Sequence, residues 1–197
     1  MKKKGNGSAI RKFFVAAGIC LLTAAAAILI SWQYGIRTSQ QQSDMYVHTI
    51  RTLIPNPQGA VLENRQNNDM PVLSLDGTDF IGILEIPRYD SALPICADWD
   101  YPYKYPCCLS GSIYDGTIQI GGTSQKGQYD FYRDFSVGDA LFFTDMAGNR
   151  YAYTVTDIHH EKHADQAALT RENASLTLFI KNVYAFEYIV IFCDVLS

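Results

Sequence analysis

Residues 13–32 form a run of 20 residues without a charged side chain, and such a run has few ways to fold. As a helix it spans about 30 Å, which matches the hydrocarbon core of a bilayer. Five of the six bases in residues 1–37 precede the run, and that segment contains no acid. The positive-inside rule therefore predicts a single-pass anchor with a cytoplasmic N-terminus and an extracellular domain in the cell membrane. A signal peptide cleaved near the small residues 24–27 is the alternative.

Composition divides the chain into four segments. We expect a basic cytoplasmic tail at 1–12, the transmembrane anchor at 13–34, a linker at 35–70 and a β domain at 71–197. The linker is rich in Gln, Asn, Pro and Gly, and apolar residues at 47, 50, 53 and 54 predict a short amphipathic helix of about two turns within it. After residue 37 the chain carries ten bases against twenty acids, which argues against nucleic acid as a partner.

Short β-like runs separated by turn residues fill the chain from about Pro71 onward. Examples are "FIGILEIP", "GTIQIGG", "LTLFI" and "YIVIFC", and the aromatic content of 13% suits a pleated sheet. At least seven such runs, with one helical turn near "ADQAAL", predict a mainly β domain built as a barrel or a sandwich. Strand order and closure are not visible in this pattern.

Four cysteines lie beyond the apolar run, at Cys96, Cys107, Cys108 and Cys193. An even number in an exported domain permits disulfides with three possible connectivities, although adjacent cysteines rarely pair with each other. Small buried thiols are an equally good interpretation. For Cys193, packing or a bridge to Cys107 or Cys108 is favoured over catalysis.

Four motifs between residues 75 and 193 are similar, in order and spacing, to those of one protein family. "DFIGILEIPRYDSALPI" resembles a G-x-L-x-I-P strand followed by L-P-[IV], and "DWDYPYKYPCCLSGSIYDG" resembles a P-C-x-x-S-G-S-x-Y-x-G loop. "FSVGDALFFTDMAGNRYAYTV" resembles a strand pair, and "LTLF" resembles the start of a nucleophile strand. The family is the sortases, and the loop is similar to that of a membrane-bound, sortase B-like group. The resemblance implies a closed β-barrel with one or two short helices, on the surface of a Gram-positive cell.

Sortases are cysteine transpeptidases, and the resemblance identifies three positions for their chemistry. A cysteine thiolate attacks the carbonyl, a histidine moves the proton and an arginine stabilises the oxyanion. The matching positions here are Thr123 for histidine, Lys181 for cysteine and Tyr188 for arginine. A slip of one residue would substitute Gly122 or Glu187. Since all three identities differ from the family's, we expect a catalytically inactive, sortase-like domain.

Two alternatives place a functional site elsewhere in the chain. An active transpeptidase with a displaced nucleophile, Cys193 or Cys107, is the alternative function. His159, His160 and His163 lie within five residues, a spacing that suits a metal. Because they follow a strand in a polar connection, a solvated loop is the favoured interpretation, and we expect no metal and no cofactor.

The expected function is that of a binding or accessory module in surface-protein or pilus assembly. A groove containing Thr123, Lys181 and Tyr188 would accept a peptide similar to a sorting signal, a surface protein or an active sortase. The ammonium group of Lys181 would hold an acidic side chain or a C-terminal carboxylate. Lys181 is not expected to act as a nucleophile, because a general acid and an oxyanion donor are missing beside it.

Overall fold

The computed structural model describes residues 6–55, 58–59, 69–99, 104–162 and 174–196. It divides the chain into two compact units, Met1–Thr38 and Ser39–Ser197. The first unit is helical, and the second contains the end of the same helix together with the β structure. The four segment boundaries expected from composition stay a prediction.

Helix α1 runs from Asn6 to Leu53. Its window Phe14–Ser31 has a mean hydropathy of 2.4 and is long and apolar enough to cross a membrane, a test that a signal sequence also passes. The helix is longer than expected, because residues 35–53 continue it where we predicted a broken linker with two helical turns. Gly35 is the one glycine among those residues and does not end the helix, no proline interrupts them, and Gln, Met and Arg are all compatible with a helix. Residues 56–57 and 60–68 of the predicted linker lie outside the described part.

The described residues after α1 contain ten strands and two short 3-10 helices. The 3-10 helices are Pro87–Tyr89 and Tyr132–Asp134. The strands are β1 (Gln58–Gly59), β2 (Leu73–Leu75), β3 (Thr78–Ile86), β4 (Ser91–Cys96), β5 (Cys107–Ser110), β6 (Ile118–Thr123), β7 (Ala140–Asp145), β8 (Asn149–Glu161), β9 (Leu176–Asn182) and β10 (Glu187–Val195).

Eight of these strands close into a barrel. The hydrogen-bonded order is β8, β10, β9, β6, β5, β4, β3 and β7, and β7 pairs back onto β8. Strand β6 runs parallel to β9, and β4 runs parallel to β5, whereas the other pairs in the ring are antiparallel. The mainly β, closed-barrel prediction is therefore confirmed. The helical turn expected near "ADQAAL" lies outside the described residues.

Two apolar clusters hold this unit together. The barrel interior is filled by inward-facing side chains such as Leu178 and Ile180 of β9 and Ile191 of β10. A second cluster lies on the outer side, where the end of α1 covers β3, β4 and β5. Its buried members are Val47, Ile50, Phe80, Ile83, Cys96, Tyr105 and Cys107.

Replacing Ile50 by alanine tests whether the last turns of α1 belong to this core. Ile50 is fully buried, so Ile50→Ala is expected to lower the free energy of unfolding by about 2–5 kcal/mol. Leu53→Ala is the matched control, because Leu53 is on the same helix and is 58% exposed. Urea unfolding of the full chain in detergent measures both changes. Equal losses in the two variants would contradict the packing described above.

Candidate functional site

The three positions matched to sortase catalytic residues lie side by side on neighbouring strands. Thr123 of β6 pairs with Lys181 of β9, and Lys181 pairs in turn with Tyr188 of β10. Paired residues project from the same face of a sheet, with Cβ atoms about 5 Å apart. Ile180, the residue before Lys181, faces the barrel interior. The three side chains therefore form one row on the outer face, which we call the 123–181–188 row.

An aromatic surface adjoins the row. The rings of Phe179 and Tyr188 stack with their centroids 4.9 Å apart and an angle of 15° between their planes. Phe179 belongs to a small outer cluster with Val190 and Phe192, and all three are buried. The row thus combines one ammonium group with an apolar, aromatic flank.

Trp99 covers the neighbouring part of β6. A Cβ atom on Gly121 would lie 2.3 Å from the Cζ3 atom of Trp99, a separation that real atoms do not adopt. Only glycine fits at this position while the indole stays where it is. Trp99 is 39% exposed, so its outer surface remains available to a ligand.

Thr123 is tied into the turn that follows β6. Its N–H donates to Oε1 of Gln128 at 2.7 Å, and its carbonyl oxygen accepts from the N–H of Tyr129 at 3.1 Å. Its hydroxyl oxygen accepts from the N–H of Gln125 at 3.4 Å. Thr123 and Gln128 are both buried. The residue at the histidine position therefore serves the turn and has no group that titrates near neutral pH.

A polar network joins the strand ends beneath the row, and the sequence motifs did not predict it. Asn182 is fully buried; its Nδ2 donates to Oε1 of Glu187 at 2.8 Å and its Oδ1 accepts from the N–H of Tyr184 at 3.0 Å. Ser124 donates its N–H to the carbonyl oxygen of Lys181 at 3.0 Å, and its Oγ accepts from the N–H of Val183 at 3.1 Å. The polar residues Ser124, directly after β6, and Asn182, at the end of β9, were the available signal. The network fixes the backbone on both sides of Lys181.

Lys181 itself is half-buried and forms no ion pair within the described parts of the chain. An ammonium group in this position can donate up to three hydrogen bonds to an anionic group. The 123–181–188 row holds a hydroxyl, an ammonium and a phenol. It contains no thiol, imidazole or guanidinium with which to carry out cysteine transpeptidation.

The cysteines proposed as displaced nucleophiles lie away from the row and are buried. Cys193 is fully buried in the barrel interior, and that burial raises the pKa of its thiol above the ordinary value. Cys107 is 3% exposed and lies under the end of α1. A nucleophilic thiol needs a substantial thiolate fraction and access to substrate. Neither cysteine provides both.

The histidine cluster has a different setting from the one expected. His159 and His160 lie within β8, where they pair with Val190 and Ile189 of β10, so the expected loop is wrong for these two residues, although both side chains are exposed to solvent as expected. Strand pairing with an apolar partner overrides their polar sequence context. Nε2 of His159 lies 3.0 Å from Oδ2 of Asp157. His163 is outside the described residues, within which no group of three metal-ligating side chains occurs.

Asn182 is expected to be the structural centre of this site. Asn182→Ala removes the donor to Glu187 and the acceptor for Tyr184, so the free energy of unfolding should fall by about 1–3 kcal/mol. Lys181→Ala, one residue earlier on the same strand, should change it by less than about 1 kcal/mol. Denaturant unfolding monitored by tyrosine and tryptophan fluorescence measures both. A larger loss for Lys181→Ala would show that the lysine serves stability.

No protein-family model matches the chain, and no curated protein matches it by sequence. Several solved structures match it by fold. Sortase A from Corynebacterium diphtheriae is 18% identical with a TM-score of 0.53, and the match covers 82% of this chain and 84% of that one.

Two sortases of another class give similar values. Sortase C1 from Streptococcus agalactiae is 18% identical with a TM-score of 0.52, covering 63% of this chain and 71% of that one. Sortase C from Clostridium perfringens, solved with the C-terminal cell wall sorting motif, is also 18% identical with a TM-score of 0.52, covering 66% and 78%. The similarity to a sortase B-like group stays a prediction. Taken with the closed eight-stranded barrel, these likenesses show that this chain has a sortase-like fold.

Proposed function

We propose that this chain is a membrane-anchored, extracellular sortase-like protein that no longer catalyses transpeptidation and binds a peptide or protein at the 123–181–188 row. One observation carries the proposal. The row brings together the three positions that the sequence motifs match to the catalytic residues, and they are occupied by Thr123, Lys181 and Tyr188. This arrangement retains the scaffold of the sortase site with different side chains on it.

The loss of activity follows from what the reaction needs. Acyl transfer by a sortase requires a thiolate nucleophile, a group that shuttles a proton and a donor for the oxyanion. The row contains no thiol, imidazole or guanidinium, so the family's group for each of these three components is missing from it. The competing function, a transpeptidase using Cys193, would require a thiol that is fully buried to reach a substrate.

The chemistry of the row favours a peptide with a carboxylate. Lys181 supplies a positive charge that can pair with a carboxylate, on a unit whose net charge is negative. Tyr188 and Trp99 supply the apolar contacts that orient a peptide, and the buried ring of Phe179 stacks against Tyr188. The partner is a peptide similar to a sorting signal, presented by a surface protein or by an active sortase during surface-protein or pilus assembly. The C-terminal cell wall sorting motif, with which the Clostridium perfringens sortase C was solved, is the model for this ligand.

The N-terminal helix supplies the membrane attachment. The window Phe14–Ser31 has the length and hydropathy of a membrane span, and five basic residues precede it. The positive-inside rule supports a single-pass anchor with the barrel outside the cell. This orientation would bring the row to the compartment in which sorting signals are processed.

Peptide binding without turnover is the expected result when the full chain in detergent meets a fluorogenic sorting-signal peptide. The peptide should bind with measurable anisotropy and stay uncleaved. Lys181→Gln should weaken binding roughly 10- to 100-fold, because it removes a charge-assisted hydrogen bond. Lys126→Gln, which removes an exposed lysine outside the row, is the matched control.

Alkylation of the thiols separates this proposal from its competitor. Pretreatment with iodoacetamide should leave binding unchanged, since the row contains no cysteine. Cleavage that alkylation abolishes would establish the displaced-nucleophile mechanism and overturn the proposal. Absence of binding in the unmodified chain would reject the row as a peptide site.

Restoring the three catalytic identities together provides the second test. The variant Thr123→His, Lys181→Cys, Tyr188→Arg should show thiol-dependent cleavage of the peptide above the parent's background, because the strand pairing sets the three side chains in one row. Lys181→Cys alone is the control and should remain inactive without the imidazole and the guanidinium. A folded triple variant that binds no peptide would contradict the assignment of the row as the peptide site.

A further inference from the structure

Strands β4 and β5 meet at the narrowest seam of the barrel. A single pair of residues, Cys96 and Cys107, sets their register within the described residues. Beside this pair, the N–H of Cys96 donates to the carbonyl oxygen of Pro106 at 2.9 Å. The neighbouring pairings of β3 with β4 and of β5 with β6 extend over several residues. Closure of the ring therefore depends on very little backbone pairing at this point.

The two thiols at the seam face each other. They share the outer apolar cluster under the end of α1, where Cys96 is 6% and Cys107 is 3% exposed. The pKa of the Cys96 thiol is raised, mainly by a hydrogen bond with the Cys107 thiol and secondly by burial. The Cys107 thiol also donates to the carbonyl oxygen of Tyr105 at 3.1 Å. The sulfur atoms are thus held close together in a dry environment.

Strand order excludes the pairings that the sequence left open for Cys193. Two strands, β6 and β9, separate β5 from β10, and neighbouring strands are about 4.8 Å apart. A disulfide needs Cα atoms within about 7 Å. Cys193 therefore lies beyond the reach of Cys107 and Cys108. Cys108 packs against the barrel core, and its thiol donates to the carbonyl oxygen of Ser110 at 3.6 Å.

We propose that Cys96 and Cys107, which are not disulfide-bonded in this structure, form a disulfide that closes the β4–β5 seam. Residues paired across neighbouring strands have the Cα separation that a disulfide requires. The bond would enclose the ten intervening residues 97–106, which include Trp99. It would therefore fasten the barrel and tether the chain close to Trp99, whose indole lies against Gly121 of β6. This inference goes beyond the proposed function and does not depend on peptide binding.

Oxidation of the pair balances with an external disulfide as oxidant. The two S–H bonds of Cys96 and Cys107 break, one S–S bond forms, and two electrons and two protons reduce the oxidant's disulfide to two thiols. A thiol–disulfide oxidoreductase or oxidised glutathione is the class of reagent that serves. Because burial suppresses the thiolate form, thiol–disulfide exchange with the oxidant must occur during folding, before the barrel closes. Once the seam is shut, the bond is shielded from reductants.

Differential labelling of the purified full chain in detergent tests the pairing. The protein is held in a glutathione redox buffer with moderate urea, so that the seam opens transiently, and is then quenched with acid. Free thiols are blocked with N-ethylmaleimide in SDS, and the remaining ones are reduced and labelled with iodoacetamide. Cys96 and Cys107 should carry the second label, and the unreduced digest should contain their cross-linked peptide. Cys108 and Cys193 should carry the first label.

Any other labelling pattern overturns the proposal. Cys96 and Cys107 carrying the first label would mean that the seam stays reduced. A cross-link that involves Cys108 or Cys193 would mean that the pairing is wrong. Both readouts use the unmodified chain, so neither depends on the folding of a variant.

Thermal unfolding gives an independent measurement. In the chain-entropy account, a disulfide closing a loop of this size should raise Tm by roughly 5–10 °C over the reduced protein. The double variant Cys96→Ala, Cys107→Ala should lose this dependence on reductant, whereas Cys108→Ala, the matched control, should keep it. An unmodified, oxidised chain whose Tm is the same after reduction would contradict the proposal.

Discussion

The parallel pairing of β6 with β9 is the interaction on which the site depends. It aligns Thr123 with Lys181, and the antiparallel partner β10 adds Tyr188 at the same level. These residues are far apart in sequence, so no local preference could bring them together. Because side chains alternate between the two faces of a strand, the register that buries Leu178 and Ile180 in the barrel also directs Lys181 outward. Core packing and the presentation of the row are therefore consequences of one pairing.

Much of the barrel was predictable from sequence because its strands are short, apolar and separated by turn residues. Their closure was not, since long-range pairing leaves no periodic signal; it was implied only by the motifs resembling sortases. The continuation of α1 to Leu53 could not be predicted, because Gln and Ser are typical of linkers and are also tolerated in a helix. His159 and His160 were assigned to a loop because their polarity masked their pairing with β10.

The candidate site, like the fold, was predictable from the sequence only in part. Motif spacing predicted the positions Thr123, Lys181 and Tyr188. The strand register brings these three residues side by side. The support around them did not come from motifs. Asn182 forms bonds to Glu187 and Tyr184 that arise only when β9 and β10 meet, and Gln128 reaches Thr123 only through the turn after β6. A sequence shows which residues end a strand, whereas their partners depend on the assembled barrel.

The close approach of Trp99 to Gly121 has an evolutionary consequence. A side chain at position 121 and an indole at position 99 cannot occupy the same space, so each residue limits what the other can become. A mutation that adds a methyl group at 121 is tolerated only after the indole has been lost or has moved. The two positions therefore constrain each other: a larger residue at 121 requires the indole of Trp99 to shift or to be replaced.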